Sequence, residues 1–81
     1  MRIRVIYFAY YKELAGTSDE EICLENDSTV GNLLEIVKRL HKPLEAEGER
    51  IIVAVNSEYA KGDARLNEGD LIALFPPVSG G

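Results

Sequence analysis

At 81 residues the chain has room for one hydrophobic core and none for a second, so it reads as one small domain. A hydrophobic fraction of 46% with 28% charged residues fits a soluble globular chain whose core holds without metal or disulfide support, and excludes disorder of the whole chain. The formal net charge of -5 excludes a phosphate-backbone partner, because nucleic-acid binders gather Lys and Arg; partners with basic surfaces are expected instead.

Residues 2–10, "RIRVIYFAY", place Arg2, Arg4, Ile6 and Phe8 on one strand face and Ile3, Val5 and Tyr7 on the other. This apolar start is short and runs into Lys12 and Glu13, so no signal peptide is expected. No stretch approaches the roughly twenty apolar residues of a membrane span, and a cytoplasmic, membrane-free protein is expected. "YYKELAGT" predicts one helical turn ended by Gly16, and "EICLE" a second strand with Ile22 and Leu24 pointing the same way. The acidic run at 19–21 and the trio Glu45, Glu47 and Glu49 read as solvated faces. Cys23 is the single cysteine, which rules out an intrachain disulfide and a metal cluster; its place in the second strand predicts a small half-buried side chain.

"DSTVGNLLEIVKRL" carries Ser28 or Thr29 as N-cap, then Val30, Leu33, Leu34, Val37 and Leu40 at helical spacing, with Lys38 and Arg39 near the C-terminal end. Gly31 weakens the first turn, and His41 reads as a helix-end residue. "HKPLEAEGER" is expected to be a loop, "IIVAV" a central third strand, and Asn56-Ser57 a turn into a short fourth strand around "EYA". After turns at Gly62-Asp63 and Asn67 to Asp70, "LIALF" is the last strand, stopped by Pro76. The order β-β-α-β-β-β predicts an α+β fold: a mixed sheet with its first and last strands adjacent at the centre and one main helix packed across one face, the β-grasp arrangement of ubiquitin-like proteins. The expected division is a β-grasp domain over 1–75 and an extended tail over 76–81.

Pro76 and Pro77 fix their own φ and bias Phe75 toward extended backbone, which aims the tail away from the sheet. Six extended residues, Pro76, Pro77, Val78, Ser79, Gly80 and Gly81, reach roughly 20 Å, enough to enter a partner's active site. Gly80 and Gly81 lack a Cβ, so a tunnel can close around the backbone and nothing shields the last carbonyl carbon. A terminal carboxylate, anionic above a pKa of about 3.3 to 3.7, can attack a nucleotide phosphate but is a poor acyl electrophile until activated. The chain has no phosphate loop, metal cluster or nucleophile-base constellation to do this, so activation is expected to come from another protein.

"FPPVSGG" at 75–81, together with "VIYFAYYKELAG", "AVNSEYA" and "LNEGDLIALFPPVSGG", resembles the small sulfur-carrier subunit of molybdopterin synthase along its whole length. The resemblance implies that an ATP-dependent adenylating (E1-like) enzyme activates the Gly81 carboxylate, that sulfur displaces AMP, and that the thiocarboxylate enters a pocket of the large catalytic subunit. Sulfur then passes to cyclic pyranopterin monophosphate, towards the dithiolene that binds molybdenum or tungsten. On this reading the chain is not an enzyme by itself and binds no cofactor or metal, ATP being used by the activating partner. The resemblance also implies docking through Phe8, Tyr59 and Phe75, in agreement with the outward alternation of Phe8 and Phe75. A bare Gly-Gly is shared with ubiquitin-like modifiers joined to lysines and with thiamin-type carriers, and an adaptor domain with an inert tail is a further alternative.

Overall fold

The computed structural model describes residues 1–77. In chain order it contains β1 (Arg2–Tyr7), α1 (Tyr10–Ala15), β2 (Asp19–Cys23), α2 (Val30–Leu40), a 3-10 segment (Lys42–Arg50), β3 (Ile52–Val55), β4 (Glu58–Tyr59) and β5 (Leu71–Phe75). The five strands form one mixed sheet in the order β2-β1-β5-β3-β4. β1 and β5 are parallel neighbours at its centre, and the remaining pairs are antiparallel. This is the ubiquitin-like β-grasp fold that the element order predicts.

The helix forms where a capping box starts it. Thr29 Oγ1 accepts from the Asn32 amide at 3.2 Å, and Asn32 Oδ1 accepts from the Thr29 amide at 2.9 Å, satisfying two otherwise unpaired donors. Val30, Leu33 and Val37 from α2 then meet Ile3, Val5 and Tyr7 from β1, Val53 from β3, and Ile72 and Leu74 from β5, all buried in one core. Each such aliphatic side chain stabilises the fold by about 1.5–3 kcal/mol. Gly31 has a packing reason: its amide donates to the Gly62 carbonyl at 2.8 Å, and a Cβ there would stand 3.2 Å from that oxygen.

The β3–β4 hairpin is closed by Asn56 and Ser57, with φ of 50° and 74°, the two left-handed residues of a type I′ connection. Asn56 Oδ1 accepts from the Leu71 amide at 3.0 Å and its Nδ2 donates to Asp70 at 2.9 Å, tying this hairpin to the start of β5. Gly16 ends α1 in the left-handed region, with its amide donating to Lys12 at 3.0 Å.

Several expectations need correction. The first strand stops at Tyr7 rather than residue 10, because Ala9 turns the chain with φ 53° and Tyr10 already begins α1. Residues 42–50 form 3-10 turns broken at Gly48, where φ is 57°, instead of an irregular loop. Cys23 is exposed rather than half-buried, since the parity that buries Ile22 and Leu24 turns it to the other face.

The two acidic groups are not simple solvated faces either. Asp19 accepts from Arg4 at 2.6 Å, and Glu21 lies 3.7 Å from Arg2. Glu20 points to the core side, where it accepts from the Tyr7 hydroxyl at 2.6 Å and lies 2.5 Å from His41 Nε2. Glu47 is buried, only 8% exposed, while Glu45 and Glu49 face solvent.

Candidate functional site

The helix covers one face of the sheet; on the other, the side chains stay half-buried or exposed. Register carries a row across that open face: Ile6 opposes Ala73, Ala73 opposes Ala54, and Ala54 opposes Tyr59. One step toward the end of β5, Phe75 opposes Ile52. Phe8, just past β1, stands beside it because β1 and β5 run in the same direction, with the Phe8 amide donating to Leu74 at 3.0 Å.

Three aromatic rings therefore meet where the chain leaves the sheet. Phe8 and Phe75 pack edge to face with centroids 6.3 Å apart, and Phe75 and Tyr59 are tilted at 6.0 Å. Phe8 is 47% exposed and Tyr59 80% exposed, far more than an aromatic needs for covering its own sheet. Beyond them the open face turns polar, with the Arg2–Glu21 and Arg4–Asp19 pairs and Cys23 lying toward the β2 edge. The surface is thus apolar at its centre, acidic and basic at one side, and immediately upstream of Pro76 and Pro77.

Phe8, Tyr59 and Phe75, which sequence reasoning singles out, are brought together by the fold, and Pro76 and Pro77 follow directly from β5. Val78, Ser79, Gly80 and Gly81 lie outside the described residues. Among the described residues no cluster of three or more His, Cys, Asp or Glu is placed to hold a metal ion, and no helix is long and apolar enough to cross a membrane.

Two carboxylates away from this open face escaped the sequence reading. Glu47 Oε1 accepts from the Tyr10 hydroxyl at 2.8 Å and from the Tyr11 hydroxyl at 3.0 Å, while Oε2 lies 3.5 Å from Arg50. The Tyr10 hydrogen bond holds the Glu47 carboxyl below the usual range; burial opposes it, and Tyr11 and Arg50 add to it. Burial pushes the Tyr11 hydroxyl up, and donation to Glu47 pushes it further. For Glu20, burial acts upward but is outweighed by donation from Tyr7 and by His41, so its carboxyl also sits below the ordinary range.

Glu20 had a readable signal, whereas the place of Glu47 follows from the observed 3-10 turns. Ile22 and Leu24 point inward, so strand parity puts Glu20 inward too. Side chains three apart eclipse on a 3-10 turn, so buried Leu44 brings Glu47 to the same face.

The ThiS family model matches residues 5–81 of this chain. The molybdopterin synthase sulfur carrier subunit of Chlamydomonas reinhardtii is 32% identical over 83 residues, covering 100% of both chains. The protein of the same description from Homo sapiens is 35% identical over 83 residues, covering 99% of this chain and 94% of that one. The crystal structure of SAMP1 from Haloferax volcanii superposes with a TM-score of 0.89 at 32% identity, covering 100% of each chain. A family match over all but the first four residues, end-to-end relatives and a shared β-grasp frame lead to one conclusion: this chain belongs to the ThiS family.

Proposed function

We propose that this chain is the sulfur-carrying small subunit of molybdopterin synthase, with the Gly81 carboxylate as its reacting group. The observation that carries the reading is end-to-end similarity to molybdopterin synthase sulfur carrier subunits, joined to an exposed aromatic surface at the base of a Pro-Pro-x-x-Gly-Gly tail. In the first step a Gly81 carboxylate oxygen attacks the α-phosphate of ATP on an adenylating partner, releasing pyrophosphate. A sulfur nucleophile then displaces AMP, leaving a thiocarboxylate.

Phe8, Tyr59 and Phe75 dock the chain on the large subunit, whose pocket receives Pro76 to Gly81 and holds the pterin substrate. The chain contributes the sulfur and its delivery; the large subunit contributes the catalytic pocket. On this reading it binds no cofactor of its own and works in the cytoplasm. Recharging requires the small subunit to dissociate after each transfer, which suits an interface of three rings better than an extensive one.

Intact mass spectrometry of the chain, incubated with the adenylating enzyme, ATP and a sulfur source, tests this reading. The expected product has one oxygen replaced by sulfur at Gly81 and supports molybdopterin formation with the large subunit. Lysine conjugates through Gly81, with no thiocarboxylate, would instead identify a protein modifier.

A further inference from the structure

Phe8 is presented by a stretch of backbone that its own sequence does not favour. Ala9 adopts φ 53° and ψ -138°, the first central position of a type II′ turn, where glycine is the preferred residue. The turn is closed by the Tyr11 amide donating to the Phe8 carbonyl at 3.1 Å, and the Lys12 amide donates to the Ala9 carbonyl at 3.1 Å. The helix that follows has six residues and no side-chain cap, too few to hold its shape unaided. A strained residue persists only where its surroundings over-determine it.

Those surroundings are Tyr11, which is fully buried, and Glu47, whose single Oε1 receives both the Tyr10 and Tyr11 hydroxyls. The carboxylate reaches α1 from the far side of the molecule in sequence, 36 residues beyond Tyr11. Its second oxygen faces Arg50, just before β3 pairs Ile52 with Phe75. One buried side chain therefore ties the helix after Phe8 to the segment leading into the strand beside Phe75.

We propose that Glu47 is a positioning residue for partner docking: by gripping both tyrosine hydroxyls it holds the strained Ala9 turn, and so keeps Phe8 set against Phe75 before any partner arrives. This rests on the reading of Phe8 and Phe75 as a docking surface. A ring already fixed in its bound geometry loses less freedom on association. Tyr10 is 45% exposed but is held by the same carboxylate, with its ring packed edge to face on Tyr11 at 5.1 Å.

Hydrogen exchange on the full-length free chain, and its affinity for the large molybdopterin synthase subunit of the same genome, separate the two layers of the argument. Glu47→Gln should raise exchange about tenfold at the Tyr11 and Lys12 amides while sparing Val5 and Ile72, and should weaken partner binding by a similar factor. Adding Ala9→Gly to Glu47→Gln removes the strain that the grip opposes, and should restore affinity to within about threefold of the parent. Tyr10→Phe, which removes one surface hydroxyl and keeps the ring, should raise exchange at the same two amides by about threefold; it decides the matter if Glu47→Gln loses protection throughout the core.

Unchanged exchange at Tyr11 and Lys12 in both Tyr10→Phe and a folded Glu47→Gln would overturn the grip. Faster exchange with unaltered affinity, in a protein whose binding is still broken by Phe75→Asp, would overturn the link from Glu47 to docking. Failure of Ala9→Gly to restore binding would overturn the role of strain. If Phe75→Asp and Glu47→Gln both leave affinity intact, the docking surface itself is wrong, whatever the exchange data show.

Discussion

Phe75 stands between Phe8 and Tyr59, so its replacement tests the aromatic surface at its centre. Phe75→Asp places an unpaired charge in an apolar contact and should cost roughly 2 to 5 kcal/mol of binding to the large subunit. The ring lies on the open face, so the fold should survive; calorimetric titration against the large subunit, with circular dichroism of the free variant, checks both statements. Ala9→Gly acts in the opposite sense on stability. It relieves a conformation that L residues rarely adopt and should raise unfolding free energy by about 1 kcal/mol, seen as a higher urea midpoint with an unchanged slope. Phe8 and Phe75 were legible from alternation alone, whereas strain at Ala9 was not, because nothing in "FAYY" requires a left-handed residue. That conformation is imposed by the need to turn from β1 into a helix whose Tyr11 must reach the core.

The elements divide by how local their determinants are. α2 was legible down to its cap, since Thr29, Asn32 and the apolar stripe lie within one short run of sequence. Thr29→Ala should remove the cap and cost about 1 kcal/mol of stability, measured by thermal or urea unfolding. The 3-10 segment was missed because no apolar period marks it, and it holds together through Leu44 and Glu47 meeting distant partners. The tail is tested by length: deleting Gly81 withdraws the carboxylate proposed to react by roughly 3.5 Å. A misplacement of about 1 Å can already cost a hundredfold in rate, so sulfur loading should be nearly abolished, as should loading after one added alanine. Both variants should melt normally and still bind the large subunit, and intact mass after reaction with the adenylating enzyme decides the outcome.

Across the whole molecule, the carboxylates of Glu20 and Glu47 are both held below the ordinary glutamate range. Their contribution to stability should therefore be fully present above about pH 4.3, the usual glutamate value, and be lost as pH falls through their lowered folded values. Comparing urea unfolding of the parent with Glu20→Gln at neutral pH and near pH 3 checks this: the variant should be less stable at neutral pH, and the gap should close in acid. The tyrosines act at the other limit. Tyr7, Tyr10 and Tyr11 are all raised above their usual value near 10, so stability should fall as pH climbs beyond it. A net charge of -5 should also draw basic partner surfaces, so association should slow as salt rises in stopped-flow measurements.

By itself the sequence determined the strands, the main helix and the outward parity of Phe8 and Phe75, and it supplied the Gly-Gly ending on which the proposed chemistry rests. Each of these rests on periods of two or 3.6 residues, or on the steric character of proline and glycine, which act over a few neighbouring positions. Only the tertiary structure decided that Tyr59 joins the two phenylalanines, because that requires β4 to reach β5 through β3. It also decided that Glu20 meets the Tyr7 hydroxyl and that Glu47 turns inward to Tyr11, while neighbouring acids face Arg2, Arg4 or water. A carboxylate's partner is chosen by what the packed core leaves within hydrogen-bond reach, and those groups lie 13 and 36 residues away in the chain.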